Sequence, residues 1–436
     1  MKFKAFGGGI PLGKTHLLLE IEGKRVAIDC GAEIGRNNSI TMPPMADESI
    51  DLLLVTHGHL DHIGALAYFA KRHPETKILG TKVTRSFTRM LLWDSVKITA
   101  QKLPEGQKVE VYFTGDDVCE LMSRFKAVRN SEWFSPWPGW KIRFVPAGHI
   151  NGAASIQIIT PNNIGIMFSG DICFNNQPTI MGAKVPSRDF RPHLLFVEAT
   201  YGDRSLPDRQ KEEDKLIDRT REVLKRGGFV LIPTFAISGV NIALISANAG
   251  IPTYIDGMIR KAAQIINLSD PWSENDKPKF IFPDNPMRVI NAQHRRQILK
   301  GKPAVIVTTH GMLEGGPVWQ YIPYILRDGK SAVLIPGYQA EETGGYHLLR
   351  LERGQALEHG NEKYDVYCDV ERFYLSAHAS GKEIARWVAE INPWEVVVVH
   401  ATRAGFEGLK QKIKERSPVI RVQGAFNGQE LLDEWI

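Results

Sequence analysis

Four side chains able to bind a metal ion fall within His57-Gly58-His59-Leu60-Asp61-His62, directly after the apolar run Leu52-Leu53-Leu54-Val55. Imidazole nitrogen and carboxylate oxygen are donors that suit zinc. A stretch this short cannot wrap all four around one ion comfortably. The simplest physical reading is two adjacent ions that divide the ligands between them, with the missing donors supplied elsewhere in the chain.

Apolar, strand-like runs that end in a ligand-type residue recur downstream. Phe144-Val145 leads to Gly148-His149, and Ile166-Met167-Phe168 to Gly170-Asp171. Phe196-Val197 ends in Glu198, Tyr374-Leu375 leads to His378, and Val396 to Val399 ends in His400. Small neighbours such as Gly148 and Gly170 permit tight turns and close approach to an ion. In an open α/β sheet ligands bind beyond the carboxyl ends of the strands, so such endings on one sheet edge would build a binuclear site. His310 ends Val307-Thr308-Thr309 in the same way, and the pattern alone does not rank it against His378. A lone histidine after a strand is more often a structural hydrogen-bonder, which is the reading for His16, His73, His193, His294, His347 and His359.

The elements that must position these residues alternate along the chain. Strands are expected at 2–7, 16–22, 25–29 and 51–56, a helix over Ala65 to Ala70 that stops before Pro74, and a mostly helical stretch from about 83 to 125. Strands return at 141–145, 155–160, 164–168 and 194–197, on either side of turns. Near Gly202 the texture changes to a charged helix at 211–226 and a β-α-β-α alternation that predicts a small parallel sheet. From about Tyr374 the earlier pattern resumes with Phe373-Tyr374-Leu375, a helix at 381–391 and a strand at 395–399. The expected organisation is therefore a first domain of 1–203 and 375–436 interrupted by an inserted domain of 204–374.

The 436 residues suffice for two or three domains, and 43% hydrophobic with 24% charged residues is ordinary for a soluble globular protein. A net charge of +5 is compatible with an anionic substrate without demanding one. Cys30, Cys119, Cys173 and Cys368 form no CxxC pair and read as isolated thiols of a reducing compartment. No apolar run approaches membrane-spanning length and no leader pattern is evident, so the expectation is a cytoplasmic protein without a membrane partner.

His57-x-His59-x-Asp61-His62 followed by Gly64, then His149, then Ser169-Gly170-Asp171, resembles the metallo-β-lactamase signature. Glu198-Ala199-Thr200-Tyr201-Gly202, Gly311-Met312-Leu313, Ser376-Ala377-His378 and His400 look like its β-CASP branch of nucleic-acid nucleases. The resemblance covers nearly the whole chain. It implies an α/β fold, a metallo-β-lactamase αββα sandwich with an inserted β-CASP α/β cap that leaves a groove for a single strand. It further implies that His57, His59 and His149 hold one zinc, that Asp61, His62 and His400 hold the other, and that Asp171 bridges them. Manganese or iron suit such mixed sites as well. Such a metal pair lowers the pKa of a bridging water and neutralises phosphate oxygens. Asp61, Glu198 and His378 would be catalytic, His378 as general acid for the leaving 3′-oxygen and Glu198 as the carboxylate that orients it. His310, which stands where relatives more often have serine, would with Gly311 and Ser376 contact substrate.

In that branch a histidine at the position of His400 goes with RNA-cleaving members. The resemblance thus implies a zinc-dependent ribonuclease acting on single-stranded RNA, endonucleolytic with a 5′-exonuclease mode beside it, working as a homodimer or within an RNA-processing complex. A DNA nuclease, another hydrolase of this fold and a non-catalytic subunit are the alternatives. Two departures bear on specificity rather than on the ligands: Pro233-Thr234-Phe235-Ala236 runs on without the usual Arg and Gln-Glu, and Ala401-Thr402 replaces Gly-Glu.

Overall fold

Along Lys2–Gly7 every second residue is buried, as in a strand with one face on a core. Leu52–Val55, Gly165–Phe168 and Leu194–Ala199 are buried throughout, as in strands covered on both faces. The computed structural model describes residues 1–34, 40–100, 110–187, 189–268 and 286–432. Two units emerge, one of Met1–Asn176, Ile180–Ser205 and His378–Ile436, the other of Gln177–Thr179 and Leu206–Ala377.

The first unit is built on two sheets. One runs from edge to edge as Glu430–Leu432, Lys2–Gly7, His16–Ile21, Lys24–Ile28, Leu52–Val55, Lys77–Thr81 and Phe125–Val128. The other runs Arg421–Gly424, Glu395–Ala401, Leu194–Ala199, Gly165–Phe168, Ala154–Ile159 and Lys141–Pro146. Their facing sides meet through Phe3 and Phe196, with ring centroids 4.4 Å apart, and Phe168 stacks on Phe196 at 4.3 Å. Helices Lys82–Thr99 and Gly115–Arg124 pack on the first sheet, and Arg403–Arg416 on the second, beside Gly381–Ile391. This is the αββα sandwich.

Capping residues set where these helices begin. Thr114 with Asp117, and Ser380 with Glu383, form reciprocal capping boxes. Thr402, one of the two departures noted above, accepts from the Gly405 amide and caps Arg403–Arg416.

The second unit is a parallel sheet ordered Met287–Arg288, Thr253–Ile255, Val305–Thr308, Val230–Pro233, Ala332–Ile335, Asp369–Arg372. Asp256, just past Thr253–Ile255, is fully buried and accepts from Arg295, the Tyr321 hydroxyl and the Gly257 amide. Burial opposes its charge, but these donors hold its carboxyl below the usual range.

Several element expectations are corrected. Phe373-Tyr374-Leu375 is not a strand; the strand is Asp369–Arg372. The ladder ends because the Phe373 amide still reaches Ile335 O, whereas the Tyr374 amide is taken by the Glu212 carboxylate. The chain passes between units at Ser205/Leu206 and Ala377/His378, slightly beyond the joints expected at 203/204 and 374/375. The helical stretch expected from 83 to 125 is two helices, Lys82–Thr99 and Gly115–Arg124, and the strand Phe125–Val128 follows. Residues 101–109 of that stretch lie outside the described residues.

Candidate metal centre

The strands bearing the candidate ligands are mutually parallel within each sheet, so their carboxyl ends share one edge of the sandwich. His57 follows Leu52–Val55, and the stretch after it closes into one helical turn, Leu60–Ile63, which carries Asp61 and His62. Gly148 (φ +74°) turns the chain into His149, and Gly170 (φ +56°) into Asp171.

Glu198 and His400 lie within their strands rather than beyond them. Glu198 pairs with Val399 and Ala199 with Ala401, so His400 is the extra residue of a β-bulge, with φ +45°. The bulge re-aims that side chain.

Three imidazole nitrogens crowd together: His59 Nδ1 lies 3.2 Å from His57 Nε2 and 3.0 Å from His149 Nε2. Asp171 Oδ2 is 3.4 Å from His57 Nε2 and 3.6 Å from His149 Nε2. Donor atoms about 2.0–2.1 Å from a tetrahedral ion stand roughly 3.3–3.4 Å from each other, close to this spacing. Asp171 Oδ1 faces a second group, 3.6 Å from His62 Nε2 and 3.5 Å from His400 Nδ1. Asp61 Oδ2 completes it, 3.7 Å from His62 Nε2 and 3.3 Å from His400 Nε2. The two oxygens of Asp171 thus face two different sets of donors.

Electrostatics separate the two sets. Burial, reinforced by neighbouring imidazoles, holds His57 well below the ordinary histidine value, and burial takes His59 down to about 4. These rings stay neutral with lone pairs converging. Burial also opposes protonation of His62 and His400, but the Asp171 and Asp61 carboxylates outweigh it, raising His400 and taking His62 up to about 10. The second set therefore attracts positive charge.

Burial pushes Asp171 up, while the same histidines, His62 first, hold Asp61 down despite the partial burial of its carboxylate. His62 Nε2 and Asp171 Oδ1 are buried without a hydrogen-bond partner among the described residues. Orphaned atoms of this kind are costly unless something satisfies them, and a metal ion satisfies both at once. The donor set fits a pair of metal ions.

A third grouping joins Asp171, Glu198 and His378. His378 Nδ1–H donates to both Glu198 oxygens, at 3.0 and 3.1 Å, and its Nε2 lies 4.0 Å from Asp171 Oδ2. Burial would lower His378, but Glu198 takes it to about 9; in return His378 outweighs burial at Glu198 and holds it at about 2. His310 and Gly311, beyond Val305–Thr308, belong to the second unit, as does Ser376, whose carbonyl accepts from Arg209.

These features coincide with family patterns. The model of the Beta-Casp domain matches residues 243–348, and that of the Zn-dependent metallo-hydrolase RNA specificity domain matches 363–423. The chain belongs to the β-CASP family of metallo-β-lactamase-fold nucleases. Residues 11–187 of this β-CASP protein also match the model described as anti-Pycsar protein Apyc1. Its relatives include a probable RNase MJ4 of Methanocaldococcus jannaschii, 26% identical over 94% of this chain and 98% of that protein. RNase aCSPSF2 of Saccharolobus solfataricus is 29% identical over 98% of this chain and 84% of its own length. Integrator complex subunit 11 of Gallus gallus is 29% identical over 95% and 71% respectively. A crystal structure of a protein of unknown function from Enterococcus faecalis V583 shares the fold, with a TM-score of 0.60, 14% identity and 99% of both chains covered.

Sequence reasoning missed three positions in this β-CASP site. Asp29 accepts from the Thr56 amide and hydroxyl, both at 2.7 Å, and from His62 Nδ1–H at 2.8 Å. Since a carboxylate only accepts, Nδ1 keeps its proton, so it is Nε2 that gives up the second proton and offers a lone pair to the cluster when His62 binds a metal. Thr56 Oγ1 lies 3.1 Å from His57 Nδ1, and Thr200 Oγ1 3.1 Å from His400 Nδ1. Val26-Ala27-Ile28-Asp29 was a further apolar run ending in a carboxylate, so Asp29 had a signal. Thr200 stood inside the Glu198-to-Gly202 stretch without a role of its own, and Thr56 had no signal.

Proposed function

We propose that this protein is a zinc-dependent ribonuclease that cuts single-stranded RNA internally. The observation that carries the proposal is the pair of donor sets sharing Asp171, with the His378–Glu198 pair beside them. The named RNases among its relatives support RNA as the substrate. In this reading His57, His59, His149 and Asp171 hold one ion, and Asp61, His62, His400 and Asp171 the other. A histidine-rich donor set favours zinc over the harder magnesium. When bound, the ions polarise water and neutralise the charge that builds on the phosphate oxygens.

The chain's own groups do the rest. Asp61, the most exposed carboxylate of the two sets, with 37% of its side chain accessible, accepts the proton of the attacking water. His378, protonated because Glu198 stabilises its charge, gives the Nε2 proton to the leaving 3′-oxygen. The likeness to a subunit of the Integrator complex supports assembly into an RNA-processing complex.

Digestion of circular and end-labelled RNA by the purified protein tests the activity and its mode together. Internal cuts on the circle are expected, and their loss in His59→Ala with folding retained. Intact circles alongside shortening 5′-labelled linear RNA would replace the endonuclease with a 5′-exonuclease. Undiminished cleavage by His59→Ala would overturn the metal assignment.

A further inference from the structure

Both ring nitrogens of His400 stand near carboxylates of the metal centre. Nε2 lies 3.3 Å from Asp61 Oδ2, and Nδ1 lies 3.5 Å from Asp171 Oδ1. Proximity alone leaves either nitrogen as the one that meets an ion. The backbone does not decide it. The His400 and Ala401 amides donate to Gly8 O and Gly9 O at 2.7 and 3.1 Å, which fixes the bulge but not the place of the ring proton.

Thr200 decides it. Its Oγ1 stands 3.1 Å from His400 Nδ1. The same residue binds Glu198 twice, through its amide, 3.3 Å from Oε2, and through a side-chain hydrogen bond. A carboxylate only accepts, so the Thr200 hydroxyl proton points to Glu198. Toward His400 the hydroxyl then offers a lone pair, which only an N–H can use. Nδ1 is thereby the protonated nitrogen, and Nε2, on the Asp61 side, is the one left to bind.

The other donor set contains the same arrangement. The Thr56 hydroxyl donates to Asp29 Oδ2 at 2.7 Å and stands 3.1 Å from His57 Nδ1. Its lone pair accepts from Nδ1–H, and His57 Nε2 faces Asp171 Oδ2 at 3.4 Å. Asp29 and Glu198, the two carboxylates behind the threonines, are both almost wholly buried. Each donor set thus has one carboxylate–threonine–histidine relay behind it.

We propose that Thr200 and Thr56 are positioning residues, one for each ion: each hydroxyl, oriented by a buried carboxylate, holds the Nδ1 proton of a ligand histidine and turns Nε2 to the ion. The proposal rests on the two-ion reading of the centre, but not on RNA as the substrate. A hydrogen bond at the far nitrogen fixes ring orientation and raises the basicity of the binding one, and its loss costs about 10–100-fold in metal affinity.

The test titrates zinc into the chelator-stripped, full-length protein in competition with a chromogenic chelator. The unmodified protein is compared with Thr200→Val, Thr56→Val, the double valine variant, and the serine variants that keep each hydroxyl. At a free zinc level that just fills the unmodified protein with two ions, each single valine variant is expected to hold one, its lost step weakened by about 10–100-fold. The double variant is expected to hold none, and the serine variants two. Histidine nitrogen NMR of the zinc-loaded, unmodified protein should show Nδ1–H on both His57 and His400.

Two ions retained by the valine variants would overturn the proposal, as would serine variants that lose zinc equally. A double variant that still holds one ion would mean that both threonines serve the same site, which also overturns it. Nε2–H on either ring in the unmodified protein would do so whether or not the valine variants fold. Fewer than two zinc ions on the unmodified protein would overturn the two-ion reading and the relays together. If zinc behaves as expected while RNA stays uncut, the ribonuclease reading fails and the relays stand.

Discussion

Asp29 touches no substrate in the proposed reaction, yet two features of the metal centre depend on it. Its carboxylate sets the proton of His62 on Nδ1 and anchors the Thr56 backbone from which His57 projects. Asn at this position keeps the shape but places N–H donors against the Thr56 hydroxyl and His62 Nδ1. Asp29→Asn is therefore expected to fold and to bind zinc about 10–100-fold more weakly, read by competition with a chromogenic chelator. An unchanged affinity would remove Asp29 from the account. His378 predicts a different signature, because its proposed task is proton delivery and not metal retention. His378→Asn should keep its metal content and lose about 10²–10⁴-fold in RNA cleavage. A p-nitrophenyl phosphodiester, whose leaving group needs no proton, should lose far less. Equal losses on both substrates would place His378 in binding rather than proton transfer.

Strand ends and turns decide whether these side chains meet. Gly148 precedes His149 at φ +74°, and a Cβ there would lie 2.1 Å from Cys173 O and 2.5 Å from the Ala183 amide nitrogen. Both obstacles are backbone and cannot swing away. Gly148→Ala is expected to cost about 2–4 kcal/mol, from the left-handed conformation and the overlap together. It should also release metal by displacing His149. Urea unfolding and metal analysis check this, and a cost below about 1 kcal/mol would mean that the turn relaxes.

How legible the site was follows from such elements. His57 to His62 could be read directly because donors so dense in sequence have no ordinary structural explanation. Gly-flanked His149 and Asp171 were legible as turns, and the parallel sheets through their alternation of strand and helix. His378 stood no higher than His310 by pattern, because both follow apolar runs. Only folding puts His378 on Glu198, 180 positions away. The bulge at His400 left no trace, since a bulge is a property of two strands in register and one strand's residues do not encode it. Asn241 accepts from the amide and hydroxyl of Thr179, a tertiary use that neighbouring residues do not announce.

At the scale of the molecule, the first unit closes two sheets around a concentration of buried charge that its own groups balance incompletely. Asp171 and Glu198 are each almost wholly buried, and Asp61 stands beside them. With no metal, the compensating charges are protons on His62, His378 and His400, whose pKa values the carboxylates raise, to about 10 for His62 and about 9 for His378. A histidine raised on folding adds stability that is complete below its ordinary pKa and is lost as pH rises through the raised value. The metal-free protein should therefore lose stability between about pH 6.5 and 10. A bound divalent ion keeps its charge over that range, and adds about 2.7 kcal/mol when free metal stands at 100 times its dissociation constant. Metal must also displace these protons, so its apparent affinity strengthens with pH. Both effects have the same sign. The difference in melting temperature between zinc-loaded and chelator-treated protein should widen from pH 6 to pH 9, as followed by scanning calorimetry. A difference that is constant or shrinks with pH would mean that these histidines do not carry the charge of the metal-free centre.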